Sequence, residues 1–348
     1  MEPPANLIYH RVYAEPPPRS ELAPSQLTDD GLPVLPAAIQ RRTLTTSLDG
    51  PSSPLTPIPP SLPLPPAAPR RKKLRLVCIS DTHQHTPYLP RGDILLHAGD
   101  LSNDGSVRSL GNALSWLSSQ PHPHKLFIAG NHDLAFDGSF VSAETHQECL
   151  SLLAGKALTY LTPEKGIVEV CGLKFFGSPY SPRSTDRAWA FQYERGGGGE
   201  QPWSAVPEGV DVLLTHSPPK FHLDRSGSVL PPEMHSGSET LRRRVAEVRP
   251  LVHVFGHVHA GRGVERVRWA PPSRVDWREE GCVSIEDPSP ESAKRQFLVD
   301  ATQLERGRET LCVNASIAKG PWRKGEGRVG GWGKPVVVDI MVDGVEGE

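Results

Sequence analysis

From Leu74 onward the chain alternates short, almost wholly apolar runs with tight polar clusters. The runs are LRLVCIS, DILLHAG, KLFIAG, VDVLLTH, LVHVFG, ETLCVNAS and PVVVDIMV, starting at Leu74, Asp93, Lys125, Val210, Leu251, Glu309 and Pro335. Unbroken apolar runs of this length predict strands covered on both faces. Between them, VRSLGNALSWLSSQ, AETHQECLSLLA and SETLRRRVAEVRP repeat apolar positions at helical spacing, and Pro121 and Pro250 stop the first and third. Strand and helix in alternation predict an α/β sandwich. IVEVCG followed by LKFFGSP predicts a hairpin turning at Cys171-Gly172.

Upstream the texture is different. Residues 1–73 hold stretches such as SSPLTPIPPSLPLPPAAP with neither helical nor strand period, which predicts a disordered, proline-rich arm, with a docking segment for a protein partner that recognises proline as its other reading. The basic cluster Arg70 to Lys73 reads as the solvated entry to the folded domain, with nuclear import as its other reading. The domain is expected over 74–345, interrupted by a charge- and proline-rich insertion at about 264–310.

Composition narrows the class. A net charge of −2, from 38 basic and 40 acidic residues, provides no overall field toward nucleic acid or an anionic membrane. The run Arg242 to Arg244 sits on an expected helix, where a solvated face explains it, so nucleic acid is not the expected partner. Cys78, Cys149, Cys171, Cys282 and Cys312 form an odd set without paired short spacing, as reduced thiols would. No window has the length of a membrane span and the first residues carry no continuous apolar leader, so a cytoplasmic protein is expected. The sequon at Asn314 lies in a strand-like run and reads as a chance match.

In open α/β sheets ligands gather beyond the carboxyl ends of strands, so the residues after each run carry the candidate chemistry. There the chain places Asp81-Thr82-His83, Asp100, Asn131-His132-Asp133, His216, and His257 with His259. Oxygen and imidazole donors without thiolates suit Mn, Fe, Zn or Mg. Asp81 and His83, two apart in an extended chain, would share one face and one ion. The chain turns at His257 and His259, which can direct neighbouring imidazoles to two adjacent ions. Asp100 is the natural bridge, having two oxygens to share.

These motifs, D-x-H, G-D, G-N-H-D, an isolated H and G-H-x-H in that order, resemble the calcineurin-like metallophosphoesterases, and CISDTH, GDILLHAGD, LLTHSPP and VNAS are similar to their metallophosphoesterase-domain-containing phosphodiesterase subgroup. The resemblance implies a calcineurin-like α/β/β/α sandwich, two mixed sheets flanked by helices. It implies one metal held by Asp81, His83, Asp100 and His259, and a second by Asp100, Asn131, His216 and His257. His132 would handle the proton of the leaving oxygen, and Asp133 would orient His132. The implied activity is dinuclear hydrolysis of phosphate esters, most of all diesters and cyclic nucleotides among them, through attack of a metal-bridging hydroxide on phosphorus. A phosphomonoesterase or protein phosphatase on the same centre is the nearest alternative; a metal-binding scaffold of negligible turnover is a more distant one.

Between Ser178 and Pro207, arginines and aromatics crowd together, and Arg183, Arg187, Trp189 and Tyr193 are candidate substrate contacts. His97 and His253 read as buried supporting histidines, and His85 as a rim residue. His122, His124, His146, His222 and His235 receive no role.

Overall fold

The structure is a computed structural model and describes residues 71–343, apart from 184–187, 196–199, 226–234, 272–278, 288–294, 321, 324–326 and 329. The expected proline-rich arm lies outside the described residues up to residue 70. Strands are named β1 (Arg71–Ile79), β2 (Ile94–Ala98), β3 (His124–Ile128), β4 (Thr159–Tyr160), β5 (Val168–Val170), β6 (Leu173–Ser178) and β7 (Val212–Thr215). They continue as β8 (Val252–Phe255), β9 (Gly263–Trp269), β10 (Glu279–Ile285), β11 (Phe297–Asp300), β12 (Glu309–Asn314) and β13 (Val336–Asp343). The helices that cover the sheets are α1 (Val107–Ser118), α2 (Ala143–Ser151) and α3 (Glu239–Val248).

Two mixed sheets form the body, ordered β11-β13-β1-β2-β3-β4 and β10-β9-β12-β8-β7-β6-β5. Strands β1 to β4 run parallel in the first, and β6, β7, β8 and β12 in the second. Each apolar run is buried on both faces because alternate residues enter different cores. Leu74, Leu76, Cys78, Leu96 and Ile128 meet Phe175, Val212, Leu214, Val254 and Val313 between the sheets. Their neighbours Val77, Ile79, Leu95 and Phe127 turn outward under Leu110, Leu114 and Leu117 of α1. On the opposite side Phe176, Leu213 and Phe255 lie under Leu241, Val245 and Ala246 of α3. This is the α/β/β/α sandwich.

Each helix opens on a serine whose side chain accepts an amide of the first turn: Ser106 from Ser109, Ser142 from Thr145, and Ser238 from Leu241. Arg249 leaves α3 in left-handed backbone just before Pro250. The β5–β6 hairpin turns at Cys171 (φ 51°) and Gly172 (φ 74°), the pair of positive angles that a tight reverse turn requires.

Two expectations are corrected. Strand β1 begins at Arg71, three residues before the expected start of the domain; Arg71 to Lys73 pair with β13 while remaining exposed, as a solvated entry would be. The stretch from 264 to 310 contributes β9 and β10 to one sheet and β11 to the other. These strands stand at or near sheet edges, half exposed, so charged residues alternate with apolar ones and the stretch reads as an insertion.

Candidate metal centre

The carboxyl ends of the parallel strands of both sheets meet at one rim, and the polar clusters follow directly: Asp81 and His83 after β1, Asp100 after β2, Asn131 after β3, His216 after β7, His257 and His259 after β8. Asp81, His83, Asp100 and His257 all have left-handed backbone, with φ of 52°, 46°, 55° and 65°. Such angles cost on the order of 1–3 kcal/mol per non-glycine residue and persist only where the surroundings enforce them. Here they are enforced: the Asp81 amide donates to Gly99 O at 2.9 Å, the His83 amide to Asp100 O at 3.0 Å, and the His257 amide to both oxygens of Asp81. Asp81 and His83 therefore reach the same place through a left-handed bend, not along one face of an extended strand; the tight backbone pairing with Gly99 and Asp100 overrides extension. Gly130 and Gly256 are required by space, since a Cβ on the first would overlap Asp100 and on the second Asp81.

The side chains fall into two adjoining sets. In one, His259 Nε2 lies 3.2 Å from Asp81 Oδ1 and 3.4 Å from His83 Nε2, and His83 Nε2 lies 3.7 Å from Asp100 Oδ2. In the other, Asn131 Oδ1 lies 2.9 Å from His216 Nε2 and 2.8 Å from His257 Nδ1, and His216 Nε2 lies 3.4 Å from Asp100 Oδ1. Asp100 thus turns one oxygen to each set.

The carbonyl partners of the histidines assign their protons and indicate what these sets need. His83 Nδ1 donates to Ser102 O and His259 Nδ1 to Gly320 O, which leaves their two Nε2 lone pairs pointed at each other. His216 donates from Nδ1 to Ala98 O at 2.9 Å, so its Nε2 faces the oxygens of Asn131 and Asp100, where a proton or a cation must sit between them. Lone pairs converging on lone pairs, beside carboxylates that are 0% and 2% exposed, call for positive charge between them. Divalent cations fit this donor set, and the imidazoles are anchored at the far nitrogen as metal-bound histidines are. Burial holds His83 and His257 neutral, each down at about 3. Burial also lowers His216, but the charges of Asp100 and Asp81 outweigh it and raise it to about 9. Asp100 is driven well below the carboxylate range against its own burial, chiefly by His216.

His132 stands at the edge of the cage. A donor atom from each of His83, Asp100 and His132 lies within 4.8 Å of the others. Its Nδ1 donates to Asn103 O at 2.8 Å, and its ring lies 4.1 Å from that of Trp189. Asp133 does not orient it: the buried carboxylate accepts from the amides of Gly130, Leu101 and Ser102 and from Ser102 Oγ, tying two strand-exit loops together. Burial, reinforced by the charge of Asp100, raises Asp133 to about 6 while those amides oppose the shift.

The expected substrate contacts separate. Trp189 is brought to the cage beside His132. Arg183 is paired with Glu194 at 2.7 Å. Tyr193 is absorbed into packing, its hydroxyl donating to Ser238 Oγ and accepting from Trp203 Nε1. Arg187 lies outside the described residues. His97 and His253 are buried and bond Thr82 and Thr215, the neighbours of Asp81 and His216. His85 stacks on Trp332 at 4.1 Å. Sequence reasoning missed Trp332, together with Asn103, Ser102 and Gly320, whose carbonyls hold His132, His83 and His259. A backbone carbonyl leaves no signal in residue type. Asn314 is buried, with its amide donating to Leu223 O and Val258 O, so the sequon is structural.

Donors from both sheets meeting at one rim define a two-layer sandwich with a candidate metal cage. The chain belongs to the calcineurin-like phosphoesterase family, whose model matches residues 74–261. It is 36% identical over 211 residues to human metallophosphoesterase domain-containing protein 1, covering 55% of this chain and 62% of that protein. It is 42% identical over 201 residues to the probable rhamnogalacturonate lyase C of Emericella nidulans, over 56% of this chain and 18% of that one. A UPF0046 protein of Caenorhabditis elegans is 36% identical over 204 residues, covering 55% of this chain and 71% of that protein. The chain spans less than two thirds of the length of the first two. No helix among the described residues is long and apolar enough to cross a membrane.

Proposed function

We propose that this chain hydrolyses phosphate esters, diesters in preference to monoesters, with two divalent cations in the rim cage. The observation that carries this reading is the division of Asp100, one oxygen toward His83 at 3.7 Å and the other toward His216 at 3.4 Å. Asp81, His83, His259 and Asp100 Oδ2 would hold one ion; Asp100 Oδ1, Asn131, His216 and His257 would hold the other. When bound, such ions polarise a phosphoryl oxygen and acidify water. Mn, Fe, Zn and Mg all accept this oxygen and imidazole set.

His132 supplies the proton. The Asn103 carbonyl engages Nδ1, so Nε2 is the nitrogen left to donate to the departing alkoxide, a contribution of about 10²- to 10⁴-fold. The Trp189 ring packs on His132 at the edge of the cage, with the two planes tilted by 35°. A diester is favoured by Arg183, which is paired with Glu194 and so withheld from the extra charge of a monoester.

The test is turnover of bis-p-nitrophenyl phosphate and of p-nitrophenyl phosphate by metal-loaded protein, with cyclic nucleotides alongside. Faster kcat/KM on the diester is expected. A strong monoester preference overturns the diesterase reading in favour of a phosphomonoesterase on the same residues.

A further inference from the structure

We propose that His222, Glu265 and Cys282 form a second metal site, for one thiophilic divalent cation of the zinc type, on the outer face of the second sheet. His222 Nδ1 lies 3.3 Å from Glu265 Oε2 and 3.9 Å from Cys282 Sγ, and Cys282 Sγ lies 3.4 Å from Glu265 Oε2. Zinc bonds of usual length to nitrogen, oxygen and sulfur, set at tetrahedral angles, place those donor atoms about 3.3 to 3.6 Å apart. The three observed separations are close to the edges of one such tetrahedron. Three protein donors leave a fourth position for water or another ligand.

The surroundings are arranged for the same purpose. His222 is 3% exposed, and its other nitrogen, Nε2, faces Glu279 Oε1 at 3.1 Å. Glu279 is in turn held by Arg242 at 3.3 Å. A carboxylate on the far nitrogen puts the proton there and directs the Nδ1 lone pair at the candidate ligands, the usual support of a metal-bound histidine. The ladder explains how these residues meet. Glu265 and Val267 share a face of β9, and Cys282 is the cross-strand partner of Val267 on that face. A bulge between Arg268 and Trp269 skips one residue of β10, so that Glu279 pairs with Trp269 and joins the same face. Binding would release the Cys282 thiol proton to solvent. It would also staple the β9–β10 hairpin to the loop that follows His216.

The competing account is an ion pair, with protonated His222 held between Glu265 and Glu279 and no metal. Cobalt(II) distinguishes the two, because a thiolate ligand produces a near-ultraviolet charge-transfer band and the rim cage contains no cysteine. In the full chain loaded with cobalt we expect that band in the wild type and in Asp100→Asn. It should be lost in Cys282→Ser, together with about one equivalent of bound metal, and weakened in Glu265→Gln. Cys282 is exposed, so the serine variant is expected to fold, and circular dichroism checks it. Cobalt-saturated wild type without the band leaves only the ion pair and overturns the proposal, as does a band that survives Cys282→Ser. Because Asp100→Asn disables the rim and spares the hairpin, failure of this site and failure of the phosphoesterase reading give different results.

Discussion

At the rim, Asp81, His83, Asp100 and His257 reach their partners from left-handed backbone at strand ends, whereas Glu265, Cys282 and Glu279 reach His222 from a regular ladder with one bulge. The rim draws donors from both sheets, so each loop must bend sharply and be held by amides, glycines and the buried Asp133. The hairpin draws its donors from two neighbouring strands whose alternation already aligns them. A site that many strand ends share is thus sensitive to its supports, while a site on one ladder depends mainly on its own ligands.

The sharpest test of that contrast is Asp100→Asn, which removes a charge that both rim sets use. Turnover of bis-p-nitrophenyl phosphate should fall by about 10³-fold or more, with metal lost from the rim. Undiminished turnover would mean that the rim is not where the reaction occurs. Next is His132→Asn, expected to cost about 10²- to 10³-fold in kcat on a cyclic nucleotide, whose leaving alkoxide needs the proton, and far less on bis-p-nitrophenyl phosphate, whose leaving group departs without one, with rim metal content retained. Loss of metal along with activity would make His132 a ligand instead.

The supports can be broken without touching a proposed ligand. Asp133→Ala leaves the Gly130, Leu101 and Ser102 amides without their shared acceptor, and a loss of about 3 kcal/mol in urea unfolding is expected. Rim metal affinity should fall with it while the hairpin is unaffected. A stability change under about 0.5 kcal/mol would show that the amides find other partners.

The smallest effect concerns His253, beneath the hairpin cluster. Burial lowers it to about 3. An unfolded histidine takes its proton near pH 6.5 and the folded one does not, so its stabilising contribution is full above that pH and is lost as pH falls toward 3, by about 1.4 kcal/mol per unit. Urea midpoints at pH 7 and pH 5 should differ less in His253→Gln than in the wild type. An identical pH response would place the acid sensitivity on other groups.

Much of this molecule could be read before folding. The strands that carry the rim donors were legible because a run covered on both faces is apolar at nearly every position, and the turn from apolar to polar marks its exit. The candidate ligands were legible because Asp, Asn and His recur at those exits. The strands of the 264–310 stretch were not, since edge strands mix charge with apolar residues. Asp133 was misjudged for a related reason: adjacency to His132 suggests contact, but the Asp133 carboxylate is taken up by the Gly130, Leu101 and Ser102 amides while His132 bonds Asn103 O.

The linear chain therefore determined the layers, the helix starts and the list of donors, all properties of residue type and local period. Only the tertiary structure decided which oxygen of Asp100 serves which set, that Trp189 stands by His132 while Tyr193 packs inward, and that Cys282 and His222, 60 positions apart, become neighbours. Those outcomes depend on strand register and left-handed turns, which arise from contacts between distant segments and leave no period along the chain.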